Sequence, residues 1–145
     1  MNPPPRAVQK YQRGQQLLQQ RDIQGGLKLI REAADAAKQH RDIQIAAATT
    51  FHRLGRVAEG AEFYRRCLKL NHNDHDARVG LGQCLKTQGD HARALEMFDA
   101  VIAAKPGHYL ATASRAELLV DEARHDEAHE AIDAPKALPG DAMKP

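Results

Sequence analysis

Residue size in this chain repeats with a step of 34. Small residues stand at Gly14, Ala48, Gly82 and Ala116, and again at Gly26, Gly60, Ala94 and Ala128. Bulky apolar residues keep the same step at Leu17, Phe51, Leu85 and Leu119, and at Ile30, Tyr64, Phe98 and Ile132. A period of this length marks a repeat array, in which each unit is a supersecondary piece that buries its apolar face against the next. The 145 residues therefore need no single central core. They divide into a Pro-rich extended leader over 1–6, four units starting at residues 7, 41, 75 and 109 and ending at 134, and a tail over 135–145.

The units are helical on composition. Aromatic residues make up only 4% of the chain and charged residues 28%, a balance that suits Ala/Leu-rich helices better than a β-sandwich. Apolar spacing places first helices at about 6–20, 42–54, 75–88 and 109–122, and second helices at about 23–38, 57–70, 91–104 and 125–134. Gly89 suits the left-handed end of a helix and Asp90 the start of the next. Pro106 stops a second helix, and Pro135 is expected to end the last one early. The small residues sit where the two helices of a unit approach most closely, so Gly82→Leu is expected to overfill that contact.

These spacings resemble the tetratricopeptide repeat, whose 34-residue pattern runs Trp-x2-Leu-Gly-x2-Tyr, Ala-x3-Phe, Pro. The third unit matches best, with Arg78, Leu81, Gly82 and Leu85, then Ala94, Phe98 and Pro106. The others keep the size code, the second through Ala47, Ala48, Phe51, Gly60 and Tyr64, the first and fourth more loosely. The resemblance implies an all-α, right-handed superhelical solenoid of antiparallel helix pairs whose first helices line a concave groove that binds peptides or proteins.

By that resemblance the groove positions are Tyr11, Gln15, Asp42, Ile45, Thr49, His52, Asp76, Val79, Gln83, Lys86, Ala113 and Glu117. Gln15, Thr49 and Gln83 would give amide and hydroxyl contacts, Tyr11, Ile45 and Val79 apolar footholds, and Arg53 and Lys86 a place for an acidic group. Some related arrays hold a C-terminal carboxylate with a Lys/Asn/Arg clamp. Tyr11, Gln15, Asp76 and Gly80 stand at those places here, which argues against that ligand. The partner-binding set is thus Tyr11, Gln15, Ile45, Thr49, His52, Arg53, Val79, Gln83, Lys86 and Glu117.

Other chemistry is thin. His72-Asn73-Asp74-His75-Asp76 gathers ligand types, but it falls at the join of two units, where Asn and Asp make turns and caps. His125 and His129 lack the Glu of a H-E-x-x-H site. With no nucleophile elbow, phosphate loop or paired acids, neither an enzyme nor a cofactor or metal is expected. The formal charge of +2, from 21 basic and 19 acidic residues scattered along the chain, gives no footprint for nucleic acid. No apolar run spans a membrane and no secretory signal opens the chain, so a cytoplasmic location is expected.

The function expected is a non-catalytic scaffold that binds a partner polypeptide in the groove. The alternatives are self-association through an uncapped C-terminal end, or the docking region of a larger enzyme. Leu138-Pro139-Gly140-Asp141 resembles a joint between units, so the tail also reads as the truncated start of a further one.

Overall fold

In a computed structural model that describes residues 2–133, seven helices and no strand are found. They are α1 (Pro5–Gln19), α2 (Ile23–Ala36), α3 (Arg41–Arg53), α4 (Val57–Leu70), α5 (His75–Thr87), α6 (His91–Ala104) and α7 (Tyr109–Asp133). The helices α3, α5 and α7 begin at the residues where the 34-residue step places the second, third and fourth units. Each first helix packs on its own second helix, and each pair on the next, giving an all-α solenoid. The helix begins slightly earlier than the Pro-rich leader suggested. Pro5 opens α1 because a first-turn proline has no N–H to lose and its φ already suits a helix.

The chain turns back three times by the same device. Arg21, Gly55 and Gly89 adopt φ of 68°, 84° and 87°. The N–H groups of Asp22, Arg56 and Asp90 reach back to the carbonyls of Leu17, Phe51 and Leu85, at 2.8, 2.8 and 2.9 Å. This six-residue closure satisfies helix-end carbonyls that would otherwise be orphaned. Asp22 and Asp90 then cap the following helix by accepting from the N–H of Gly25 and Arg93, at 2.9 and 3.2 Å.

Between the turns the helices nearly touch backbone to backbone. A Cβ built on Gly14 would stand 2.9 Å from the Gly26 carbonyl, and one on Gly60 3.1 Å from that of Ala48. A Cβ on Gly82 would meet the Phe98 ring at 2.6 Å. The small residues are therefore fixed by steric need, and the large side chains Phe63, Phe98, Ile30 and Leu118 fill the space beside them, fully buried.

The fourth unit departs from the expected pair. Residues 109–133 form one helix, with no break at 122–125. The turn steps are filled by Ala123 and Arg124. Ala123 has neither the left-handed freedom of Gly55 and Gly89 nor any reason to leave a helix, and Arg124 cannot cap as Asp22 and Asp90 do. Pro135 and the tail over 135–145 lie outside the described residues, and the side chains of Ala128 and Ile132, on which the expected packing depends, are likewise not described.

The joints between units differ in chemistry. Between the second and third, a Cβ on Gly80 would run into the Tyr64 ring, and Arg41 grips Asp74 with two bonds of 2.9 and 3.1 Å. Between the first and second, Gln44 is fully buried and donates to the carbonyls of Ala34 and Ala37 at 2.8 and 2.9 Å. Arg66 donates to the Gln44 oxygen at 3.3 Å and to Asp35 and Glu62 at 2.8 and 2.9 Å. Arg31 reaches Glu59 and Glu62, and the Arg31 and Arg66 guanidinium groups lie 4.9 and 4.8 Å from the centre of the Phe63 ring.

Candidate protein-binding face

The face made by the first helices divides into two unlike halves. In the half built from α5 and α7 the polar groups satisfy one another. Gln83 donates to the Ser114 hydroxyl at 3.1 Å, and the Lys86 ammonium lies 3.6 Å from Glu117 and 3.3 Å from Asp121. Asp76 is held 3.0 Å from His108, whose other ring nitrogen caps α7 by accepting from the Ala111 N–H at 3.1 Å. Val79 is fully buried. It cannot be the apolar foothold expected of it, because α5 is flanked by α3 on one side and α7 on the other.

The half built from α1 and α3 is more open. The backbones of α1 and α3 make no close approach to one another. A cleft at the turn end is lined by Gln15, Leu18, Gln19, Ile23, Thr50, Arg53 and Leu54. Gln15 and Arg53 are exposed. The Gln15 amide donates to the Tyr11 hydroxyl at 2.9 Å. Thr49 donates to the Ile45 carbonyl at 2.9 Å and stands 3.4 Å from the Tyr64 hydroxyl.

Ile45 and His52 are half-buried, and Ile45 packs on the core. The His52 ring meets Tyr64 edge-on at 6.4 Å. Burial pushes the His52 imidazole below its ordinary pKa, so it is neutral at pH 7 and can both accept and donate.

Leu18, Gln19 and Ile23 were not among the groove positions taken from the resemblance. The signal for them is Ile23 itself, an apolar residue 39% exposed at the very start of a second helix. The carboxylate clamp has no counterpart in the structure either. Gly80 is buried under Tyr64, Asp76 is engaged by His108, and the nearby Lys86 is paired with acids of α7.

The His72–Asp76 run is a joint. Asp74 caps α5 by accepting from the Ala77 N–H at 3.2 Å while Arg41 holds it, and the His72 carbonyl accepts from Arg78 at 2.6 Å. Burial alone would raise the Asp74 carboxyl, but the Arg41 bonds, the Ala77 N–H and the Arg41 charge outweigh it and hold it below the usual carboxylate range. Among the described residues no three His, Cys, Asp or Glu side chains gather as a metal site. His125 and His129 stack with ring centres 6.3 Å apart. Cys67 and Cys84 are free and buried, and burial pushes both thiols up to about 11, which keeps them protonated.

Stacked helix hairpins with a side-chain-bearing inner face define an α-solenoid of the kind that presents a surface rather than an enclosed site. The tetratricopeptide repeat model matches residues 11–75, 66–109 and 79–142, and the chain belongs to that family. No curated protein sequence is similar enough to count as a relative.

Among solved structures, the Sgt2 TPR domain from Aspergillus fumigatus is similar at 15% identity and a TM-score of 0.69, over 94% of this chain and 89% of that one. The second TPR domain of human RPAP3, in complex with an HSP70 peptide, is similar at 14% identity and 0.67, over 81% and 98%. YrrB, described as a TPR protein with an unusual peptide-binding site, stands at 24% and 0.66, over 88% and 66%. At these identities the likeness carries the fold. Among the described residues no helix is long and apolar enough to cross a membrane.

Proposed function

We propose that this chain is a non-catalytic interaction scaffold that holds a partner polypeptide against the half of its inner face built from α1 and α3. The observation that carries the reading is the asymmetry of that face. Gln83 and Lys86 are bonded to α7, whereas Gln15 and Arg53 project beside a cleft with apolar walls at Leu18 and Ile23. Peptide complexes of related folds, such as that of RPAP3 with an HSP70 peptide, give the reading its precedent. The ligand here differs in anchoring. An extended segment with an acidic group for Arg53 and an apolar side chain for Leu18 and Ile23 fits this cleft, in place of a clamped C-terminal carboxylate.

Selection of peptides from a random library by the full chain tests this. Enriched peptides should share an acidic and an apolar residue, lose binding to Gln15→Ala/Arg53→Glu, and keep it with Glu117→Gln. Peptides indifferent to the first variant would remove the α1–α3 cleft from consideration. Cytoplasmic location belongs to the same reading and is checked by fractionation.

A further inference from the structure

The near-neutral total charge conceals a division along the array. Residues 1–70 carry 13 basic and 6 acidic side chains, and residues 71–133 carry 6 and 12. The contrast is sharpest in the terminal helices. α1 has Arg6, Lys10 and Arg13 and no acid, whereas α7 sets seven acids against two arginines. Neither set serves its own helix. Arg6 stands in the first turn of α1 and Asp133 closes α7, each where the helix dipole opposes its charge.

Both helices also keep a bare face. The backbone of α1 comes close to that of α2 alone. Arg6, Gln9, Arg13 and Gln16 share one side of α1 and are all exposed. In α7, buried Ala111, Ser114 and Leu118 mark the packed side, while Ala116, Val120, Ala123 and Glu127 form an exposed stripe on the other. His91, the first residue of α6, lies 3.7 Å from Glu122. Beyond that point α7 runs on for about 16 Å, and residues 123–127 are exposed. Among the described residues no ion pair engages Arg6, Arg13, Asp126 or Glu127.

We propose that copies of this chain associate head to tail, the exposed stripe of α7 in one copy lying antiparallel against the bare face of α1 in the next. Arg6 and Arg13 have the same spacing as Val120 and Glu127, so Arg6 meets Glu127 when Arg13 lies over Val120. Arginine suits both places, since its stem covers apolar surface and its guanidinium pairs with a carboxylate. Val120, 48% exposed, gains that cover. A second copy is the occupant because the two complementary ends belong to one chain. Head against head or tail against tail would set like charges together, so the contact is heterologous and builds a ring or an open series. Gln15 points to the side of α1 away from Arg6 and Arg13, so this association does not rest on the groove reading, and either can fail without the other.

Light scattering on the full chain at low ionic strength, over a wide range of concentration, reads the outcome. The mass should climb above the 16.0 kDa of one chain as concentration rises. It should return to that value in about 1 M salt, where charges are screened within a few ångströms. Arg6→Glu/Arg13→Glu and Asp126→Lys/Glu127→Lys, all at exposed sites, should each keep the single-chain mass alone, with helicity unchanged by circular dichroism. Mixed in equal amounts they should associate again, because the acidic head of one then meets the basic tail of the other while their native ends still match. A native chain that stays single at every concentration overturns the pairing. So does association that survives in either variant alone, or that fails to return on mixing.

Discussion

Gly89-Asp90 and Ala123-Arg124 occupy the same two steps of the repeat, yet the chain reverses at the first and runs straight through the second. The size pattern is alike on both sides of the two sites. What differs is local backbone chemistry, a residue free to take positive φ followed by one whose carboxylate caps the next helix. Apolar and small residues say which faces can pack, whereas two residues at the turn decide whether those faces belong to the same hairpin.

The largest expected effect sharpens this difference. Gly82→Leu should cost about 3 kcal/mol or more in chemical denaturation, since even a methyl there meets Phe98. Ala116→Leu, at the matching but exposed step, should change the stability of the first three hairpins by less than about 0.5 kcal/mol. Equal losses at the two sites would break the comparison.

Next, Gly89→Ala/Asp90→Arg gives the third turn the chemistry of the fourth. Loss of the left-handed glycine and of the cap should together cost about 2 kcal/mol. The melting temperature checks it, and an unchanged value would mean that packing alone makes the turn.

A smaller effect is the acid response of the joint at Asp74. Its carboxyl titrates lower in the folded chain than the ordinary 3.8 of an aspartate. The stabilisation is therefore present above that value and is lost as pH falls through the folded one. Stability measured from pH 5 downward should fall more steeply in the native chain than in Asp74→Asn.

His52 should give the smallest effect. Its folded pKa lies below the ordinary 6.5, so the unfolded chain takes up a proton first and stability declines as pH drops below that value. The decline should be shallow, and His52→Gln should remove it.

Much of the architecture was legible because a repeat states each rule several times. The starts of α3, α5 and α7 and the contacts of Gly14 with Gly26 and Ala48 with Gly60 follow from register alone. The straight α7 was also written in the sequence, at Ala123 and Arg124, but the persistence of the size code through Ile132 pointed the other way.

The inner face was less legible. Whether a side chain is free depends on neighbours about one unit away, as Gln83 shows with Ser114 and Lys86 with Glu117. Val79 failed as a groove residue for a related reason, since an inner strip on a helix flanked on both sides is narrower than one on a terminal helix.

The two joints flanking the second unit also have a mechanical consequence. The joint to the third unit buries a tyrosine ring against glycine, whereas the joint to the first relies on one buried amide and on arginines paired with partly exposed acids. Ion pairs of the latter kind are individually weak and are screened by salt. Pulled from its ends, the array should yield first where Gln44 spans the seam. The leading hairpin would swing as a loosely sprung jaw while the rest moves as a stiff rod, and ionic strength would set the tension of the spring.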